Sequence, residues 1–236
     1  MPLRERTVLI TGASRGIGRA LALRCARSGA RLALCGRDAA RLAALEKEIV
    51  ESGGTRPFWK AFDLAGAKRT VAFYADARDA LGAPDVLVNN AGFNPRKSPL
   101  AEVTTEEFDA ILAVNLRAPF LLCREARRDL IPRRSGHIVQ VLSTVCHLSM
   151  ETMGAYTTAK KGLEGLSGVL RKEARPHGVR VSCVYPGGTD TEFRPSERPD
   201  YMRPESVAEV VHGLLTAPDD VIVHSITFRP IVESNF

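Results

Sequence analysis

The sequence predicts an α/β fold, a doubly wound parallel sheet of about seven strands with helices on both faces. Short apolar runs rich in β-branched residues alternate with longer stretches whose apolar residues recur at helical spacing. Such alternation implies a parallel sheet, because each crossover between parallel strands lays a helix against one of its faces. The runs predicted as strands are 7–11, 31–36, 55–62, 85–90, 136–143, 179–185 and 221–228.

The helical stretches between these runs carry start and stop signals. Glycine follows several of them, at Gly29, Gly53 and Gly178, and glycine commonly ends a helix. Asp38 precedes the second helix and is expected to cap its N-terminus. Residues 186–206 are rich in Pro, Gly and charge, which is typical of a functional loop. The clearest predicted helices cover 15–29, 39–53 and 105–131.

Composition places the chain among globular proteins with one large core. Its 236 residues are 44% hydrophobic and 25% charged, and no apolar run approaches the length of a membrane span. The basic N-terminus runs directly into a glycine-rich turn, so we expect no signal peptide. The net charge of +6 is spread along helices beside acidic residues, so we expect neither a nucleic-acid partner nor a membrane partner.

The cysteines and histidines predict neither disulfides nor a metal site. The five histidines show no metal-ligand spacing. The five cysteines form no C-x-x-C pair and lie mostly in apolar segments, which favours buried thiols in a reducing cytoplasm. These cysteines are Cys25, Cys35, Cys123, Cys146 and Cys183.

A glycine-rich turn, TGASRGIG at residues 11–18, follows the first predicted strand and opens a helix. Gly12 permits the tight turn, Gly16 lets the backbone approach a pyrophosphate, and Gly18 lets the helix pack on the sheet. The helix N-terminus then offers free N–H groups to the anion. Such a turn can be purely structural, but its position between a strand and a helix favours dinucleotide binding.

The end of the second predicted strand indicates which dinucleotide binds. A carboxylate there suits the ribose 2′-hydroxyl of NAD, whereas an arginine suits the 2′-phosphate of NADP. Gly36 stands where the acid is expected, Arg37 follows it, and Arg15 can reach the same phosphate. Alternatively, both arginines are solvated and Asp38 selects NAD(H). The capping position of Asp38 favours NADP(H).

Tyr156 and Lys160 indicate proton-transfer chemistry. They stand four residues apart in a predicted helix, which places a phenol and an ammonium on one face, one turn apart. A phenol has an unperturbed pKa of about 10 and is a poor acid or base at neutral pH. A fixed cation stabilises the phenolate and brings the phenol closer to its working range.

These motifs resemble those of the short-chain dehydrogenase/reductase family over nearly the whole chain. TGASRGIG, Asp63, NNAG at 89–92 and Asn115 are followed by Ser143, Y-x-x-x-K at 156–160 and PGGTDT at 186–191, in family order and spacing. The resemblance implies a Rossmann-type fold in one domain, 1–236. Residues 1–92 would form mainly the dinucleotide-binding half. Residues 93–236 would form the catalytic and substrate half, with a short lid at 188–204.

The resemblance also implies a role for each matching position. Tyr156 would be the general acid/base, and Lys160 would hold the nicotinamide ribose and favour the phenolate. Ser143 would hydrogen-bond the substrate carbonyl, and Asn115 would hold a water that links Lys160 to solvent. Besides Tyr156 and Lys160, the implied cofactor-binding positions are Gly12, Ser14, Arg15, Gly16, Ile17, Gly18, Arg37, Asp63, Leu64, Asn90, Ala91, Gly92, Pro186, Gly187, Thr189 and Thr191. For Asp63 and Asn90, a structural role is an equal alternative.

We therefore expect an NADP(H)-dependent oxidoreductase that interconverts a carbonyl and a secondary alcohol. The short lid and the C-terminal segment resemble the 3-hydroxy acid dehydrogenase branch and favour a small polar hydroxy or keto compound. The alternatives are a ketoreductase of the 3-oxoacyl-(carrier-protein) or bulky-ketone type, and a non-catalytic NADP-binding sensor. By analogy, substrate would contact Asn94, Val145, His147, Met150, Gly188 and Phe193.

Two further expectations follow from the family pattern. The family often has glycine three residues after the catalytic serine, where this chain has Cys146, so the pocket floor differs. The helical stretches around 104–131 and 155–175 carry apolar residues beyond one face, and the family packs these helices across a two-fold axis. A homodimer or homotetramer is therefore expected.

Overall fold

A seven-stranded, all-parallel sheet organises the chain in the computed structural model, which describes residues 3–193 and 196–233. The strands lie in the order β3-β2-β1-β4-β5-β6-β7, and every neighbouring pair is parallel. The predicted α/β class is thereby confirmed. The strands are β1 (Thr7–Thr11), β2 (Arg31–Gly36), β3 (Phe58–Ala61), β4 (Val86–Asn89), β5 (Gly136–Val141), β6 (Val179–Pro186) and β7 (Ser225–Phe228).

Helices cover both faces of this sheet, as predicted. The helices are α1 (Gly16–Arg27), α2 (Ala39–Glu51), α3 (Ala67–Leu81), α4 (Thr105–Leu112), α5 (Ala118–Arg133), α6 (Gly154–Ala174) and α7 (Pro204–Leu215). One apolar core lies beneath α1, α2 and α7, and a second lies beneath α3, α5 and α6. Because both faces are covered, the central strands β1, β4 and β5 are buried along their whole length.

The local sequence signals behave as expected at the helix ends. Gly29, Gly53 and Gly178 all have positive φ, the conformation that glycine adopts without strain after a helix. The Asp38 side chain accepts a hydrogen bond from the Arg41 N–H and caps α2. None of the helices within the described ranges has the length and apolarity that a bilayer span requires.

Three predicted elements differ in extent. The predicted strands 55–62 and 221–228 shorten to β3 and β7, the two edges of the sheet, because an edge strand has a hydrogen-bonding neighbour on one side alone. The predicted helix 105–131 contains a π-helical turn, Ala113–Arg117, between α4 and α5. Such turns are often found at functional sites.

Candidate active site

The residues singled out by their motifs converge at the carboxyl edge of the sheet. Gly12, Arg37, Asp63, Asn90, Ser143 and Gly187 each follow the end of one strand, in turn β1 to β6. The strand order reverses direction between β1 and β4, which opens a crevice at this edge. Ligands of doubly wound sheets bind in such a crevice.

The glycine turn packs closely against the neighbouring backbone, which side chains at its glycines would prevent. Gly12 and Gly16 have φ of 69° and 54°. A Cβ on Gly12 would lie 2.9 Å from Ala91 Cα, and one on Gly18 would overlap the Gly12 carbonyl. Arg15 is the N-cap of α1 without a capping side-chain hydrogen bond, so N–H groups of the first turn can bind an anion. The turn therefore fits a pyrophosphate.

Hydrogen bonds of Asn90 and Thr11 hold the ends of β1 and β4 together. Thr11 Oγ1 accepts hydrogen bonds from the N–H groups of Asn90 at 3.1 Å and Ala91 at 3.0 Å. Asn90 Nδ2 donates to the Thr11 carbonyl at 2.9 Å. Asp63, an exposed residue, accepts from the Ala65 N–H at 2.8 Å and shapes the turn after β3. These contacts give Asn90 and Asp63 a structural role, and they leave each beside the crevice.

The region that would select the cofactor contains three arginines. Gly36 lies against Ser14, whose Oγ would be 2.9 Å from an added Cβ, so a larger side chain does not fit there. The Arg37 guanidinium lies 5.7 Å from the centre of the Phe93 ring. Arg15 and Arg41 instead both reach one carboxylate, that of Glu192.

Tyr156 and Lys160 lie together on α6, both buried. The Lys160 ammonium is 5.7 Å from the centre of the Tyr156 ring and donates a hydrogen bond of 2.8 Å to the Val141 carbonyl at the end of β5. Burial lowers the pKa of Lys160 to about 8. The predicted spacing thus puts an ammonium beside a phenol at the carboxyl edge.

Ser143 follows β5 and begins a short 3₁₀ turn, Thr144–Cys146. Its Oγ accepts a hydrogen bond of 3.3 Å from the Val145 N–H. Within that turn, Cys146 is buried in an apolar cluster with Leu142 and Leu163. Burial raises the pKa of the Cys146 thiol to about 11, so it stays a neutral packing group.

Asn115 lies in the π-helical turn and braces the segment after β4. Its Oδ1 accepts from the Phe93 N–H at 3.1 Å, and its Nδ2 donates to the Phe93 carbonyl at 2.7 Å and to the Ile111 carbonyl at 2.9 Å. Both amide hydrogens are therefore used by protein carbonyls. Any water at Asn115 has to bind the remaining lone pair of Oδ1 or the neighbouring backbone.

The predicted substrate positions divide into two groups. Asn94 shares a cleft with Tyr156, and Val145 and Phe193 also approach that tyrosine, with the Phe193 ring centre at 5.8 Å. Exposed His147 instead stacks on Tyr185 and contacts Thr227 at 3.1 Å. Of the other two positions, Met150 is exposed, and the Gly188 N–H donates to Glu233.

The cleft beside Tyr156 has two charged side chains, Arg96 and Glu107, and they form an ion pair. Arg96 donates from Nε and Nη2 to the two carboxylate oxygens of Glu107, at 2.7 and 2.9 Å. Hydrogen bonding to Arg96 and to the Thr104 N–H lowers the pKa of Glu107 to about 2. The pair ties the segment after β4 to the start of α4 and leaves the cleft close to neutral.

The predicted positions after β6 form the base of the lid. Pro186 ends β6, and the Gly187 N–H donates to the Phe228 carbonyl at 2.9 Å. Thr189 is buried and bridges to Met202. Thr191 contacts the glycine turn, since a Cβ on Gly16 would lie 3.2 Å from its methyl group. Of the predicted lid, 188–204, residues 194–195 lie outside the described residues.

Sequence reasoning missed four residues at this edge: Arg41, Phe93, Val141 and Glu192. Phe93 and Val141 act through backbone groups, and a sequence carries no signal for such a role. Arg41 stands three residues after the expected N-cap Asp38, and that spacing was the available signal. Glu192 meets its partners across the fold and has no local signal.

Comparison with known proteins agrees with this geometry. The family model described as short chain dehydrogenase matches residues 6–202. A probable galactose dehydrogenase from Rhizobium meliloti is 36% identical over 208 residues, covering 88% of this chain and 80% of that protein. A 3beta-hydroxysteroid dehydrogenase from Mediterraneibacter gnavus is 32% identical over 187 residues, covering 79% and 67%.

A solved structure extends the comparison to nearly the whole chain. A metagenomic short-chain oxidoreductase in complex with NADP has a TM-score of 0.86 and 38% identity, covering 98% of this chain and 99% of that one. The chain therefore belongs to the short-chain dehydrogenase family, as its motifs predicted. It is an oxidoreductase that acts on CH–OH groups and binds a nicotinamide cofactor.

The Lys160→Met variant tests the buried ammonium through the pH dependence of stability. Burial lowers the pKa of Lys160 from 10.5 to about 8. Between these values the unfolded chain binds a proton that the folded chain lacks, so the free energy of unfolding of the wild type rises with pH there. In urea denaturation, the free energy of unfolding of the wild type should rise relative to that of Lys160→Met between about pH 8 and 10.5. Below pH 8, the difference between the two free energies should be constant.

Lys161→Met is the matched control, because Lys161 is the exposed neighbour of Lys160 on the same helix. Comparing the two variants separates burial from the loss of one lysine. A stability difference between the wild type and Lys160→Met that stays constant across this pH range would contradict a buried, charged Lys160.

Proposed function

We propose that this protein interconverts a carbonyl and a secondary alcohol with NADP(H), with Tyr156 as the general acid/base. The observation that carries the proposal is the buried Tyr156–Lys160 pair at the carboxyl edge of the sheet. The glycine turn lies at the same edge, and Ser143 follows β5 there.

The side chains supply proton transfer and charge stabilisation. A bound NADPH would supply the hydride for reduction, and NADP⁺ would accept it in the reverse direction. Ser143 and Tyr156 donate hydrogen bonds to the substrate oxygen, where negative charge grows during reduction. Tyr156 then gives its proton to that oxygen, and the Lys160 ammonium stabilises the phenolate left behind.

Asn115 and Val141 act as positioning residues in this proposal. The Val141 carbonyl fixes the Lys160 ammonium, since the two are 2.8 Å apart. Asn115 holds the backbone of Phe93 on both its N–H and its carbonyl, which sets the wall opposite α6. Pre-organised groups of this kind lower the cost of reaching the transition state.

We infer that NADP(H) is preferred over NAD(H). Gly36 packs against Ser14, where a 2′-hydroxyl-binding carboxylate would otherwise stand. Arg15 and Arg41 share one carboxylate near that position, and such a pair of guanidiniums suits a phosphate dianion. A solved relative at 38% identity is a complex with NADP, which supports the same preference.

We propose a small, polar and uncharged substrate. Arg96 and Glu107, the charged side chains near Tyr156 on the α4 side, pair with each other, so neither charge is free to bind an ionised substrate. The relatives are named for a sugar and for a steroid, and the sugar is the small polar compound of the two. The 3-hydroxy acid, carrier-protein and bulky-ketone substrates are alternatives, and the intact Tyr156–Lys160 pair disfavours a non-catalytic sensor.

We further propose that residues 1–92 and 93–236 act as the two halves of one catalytic unit in a homodimer or homotetramer. An open groove on α5 and α6 supports the assembly, because Phe120 and Val169 line it and are 42% and 59% exposed.

All five cysteines are free and buried, which supports a location in the cytoplasm.

Tyr156→Phe should abolish turnover while leaving cofactor binding intact. Removing a general acid is expected to cost about a hundred- to ten-thousandfold in kcat. Stopped assays of carbonyl reduction with NADPH, and titration of NADPH fluorescence, measure the two properties. Tyr74→Phe removes the same atom at a contact with Asp129 between α3 and α5, so its turnover should be retained. Retained turnover in Tyr156→Phe would refute the assignment of the acid.

A panel of carbonyls and alcohols tests the proposed substrate class. Neutral sugars and small hydroxy ketones should give higher kcat/KM than long acyl thioesters or steroids, and also higher than hydroxy acids. Each is assayed with NADP(H) and, as a control, with NAD(H). The uncharged-substrate proposal fails if hydroxy acids lead the panel, and the small-substrate proposal fails if acyl thioesters or steroids do.

Val169→Glu should shift the assembly towards monomer, because it places a charge in the proposed apolar interface. Sedimentation velocity measures the shift. Val50→Glu is the matched control, since Val50 is 40% exposed and lies on α2, away from this surface. A wild type that sediments as a monomer would overturn the proposed assembly.

A further inference from the structure

Two arginines from different elements meet on one carboxylate of the lid. Glu192 Oε2 is 2.5 Å from Arg41 Nη1 and 3.4 Å from Arg15 Nη1. Arg15 caps α1 at the glycine turn, and Arg41 lies in the first turn of α2. The cluster therefore stands between the start of α1 and the start of α2, where the ribose 2′ position of a dinucleotide lies in this fold.

The orientation of Arg41 is set from its own helix. Its Nε pairs with Asp38 Oδ2 at 3.2 Å, while Asp38 also caps α2. This contact leaves Nη1 of Arg41 directed at Glu192. Arg37 takes a different direction, over the Phe93 ring. Among the three arginines near the end of β2, Arg15 and Arg41 are thus the pair that converges on one anion.

We propose that Glu192 is an internal anion that occupies the 2′-phosphate site formed by Arg15 and Arg41, so that NADP(H) has to displace it to bind. The inference rests on the proposed NADP(H) function and adds two specificity-determining residues to it. Arg41 binds the 2′-phosphate, and Glu192 competes with it.

The formal charges of this cluster favour displacement of the Glu192 carboxylate by the 2′-phosphate. Arg15, Arg41, Asp38 and Glu192 sum to zero formal charge, so the cluster is already neutral. A phosphate monoester brings about −1.5 to −2 charges at pH 7, and beside Glu192 it would face a like charge at close range. Without the Glu192 carboxylate, the cluster carries one net positive charge and attracts the phosphate. NAD(H) has no 2′-phosphate and does not need this site.

The two chain neighbours of Glu192 lie beside the glycine turn and beside Tyr156. Thr191 contacts Gly16 of the glycine turn. Phe193 approaches both Tyr156, at 5.8 Å between ring centres, and Gly92, where an added Cβ would lie 3.6 Å from the ring. Glu192 therefore stands between a residue beside the glycine turn and a residue beside Tyr156.

The strength of the competition follows from the exposure of the groups. The side chains of Arg15, Arg41 and Glu192 are each 42% to 55% exposed, and ion pairs of that exposure contribute little to stability. A weak internal pair suits a competitor, because a phosphate dianion held by two guanidiniums exceeds it. Removing Glu192 should change affinity by a modest factor that shrinks as salt is raised.

The test is calorimetric titration of NADP⁺ and NAD⁺ into four proteins: wild type, Glu192→Gln, Arg41→Gln and Glu197→Gln. Glu192→Gln should tighten NADP⁺ binding by roughly two- to tenfold and leave NAD⁺ within about twofold. Arg41→Gln should weaken NADP⁺ by about tenfold or more, again with little effect on NAD⁺. Glu197→Gln removes an exposed lid carboxylate with the same change of charge, and it should change neither cofactor.

Each outcome decides the inference. It is overturned if Glu192→Gln leaves NADP⁺ binding unchanged or weaker, or if it tightens NAD⁺ equally, since the effect would then be lid opening without anion competition. It is also overturned if Arg41→Gln binds NADP⁺ as well as the wild type does. The wild-type cofactor preference and the substrate panel judge the proposed function separately. A wild type that prefers NAD⁺, with a selective gain of NADP⁺ in Glu192→Gln, refutes the proposed preference and supports the inference.

Discussion

The parallel pairing of β1 with both β2 and β4 determines where a crevice opens at the carboxyl edge of the sheet. The strand order reverses at this point, so the helices that follow β1 and β4 leave in opposite directions and the crevice between them stays open. Asn90 and Thr11 hold the two strand ends together, and Gly12 and Gly18 let the backbones approach without side chains between them. Every other part of the site is positioned relative to this closely packed junction.

The buried ammonium of Lys160 is the costly feature of the site. Taking a charge out of water is unfavourable, and burial accordingly lowers the pKa of Lys160 to about 8. The Val141 carbonyl and the Tyr156 ring compensate part of that cost. A phenolate on Tyr156 would compensate more, because it places an anion beside the cation. The burial that destabilises the Lys160 charge therefore also favours the proton transfer proposed for Tyr156, because that transfer leaves a phenolate beside the ammonium. The loss of stability is located at the groups proposed to carry the chemistry.

The lid joins parts of the site that the sheet keeps apart. Within three residues, Thr191 contacts the glycine turn, Glu192 pairs with Arg15 and Arg41, and Phe193 approaches Tyr156. The proposed cofactor selection and the proposed general acid thus both lie against one short segment. On the other side of Tyr156, the Arg96–Glu107 pair ties the segment after β4 to the start of α4.

The sequence by itself determined the features that local patterns encode. The alternation of periods predicted the sheet and its two helical layers, the glycine turn predicted the first crossover, and the i,i+4 spacing placed Tyr156 and Lys160 on one helical face. Other contacts were decided by the tertiary structure alone. Asn115 hydrogen-bonds the backbone of Phe93, and Glu192 binds both Arg15 and Arg41. Arg37 takes no part in that contact. Arg41 and Arg15 stand 151 and 177 residues from Glu192 along the chain. Local propensity carries no information about such pairs, because the packing of the whole sheet brings them together.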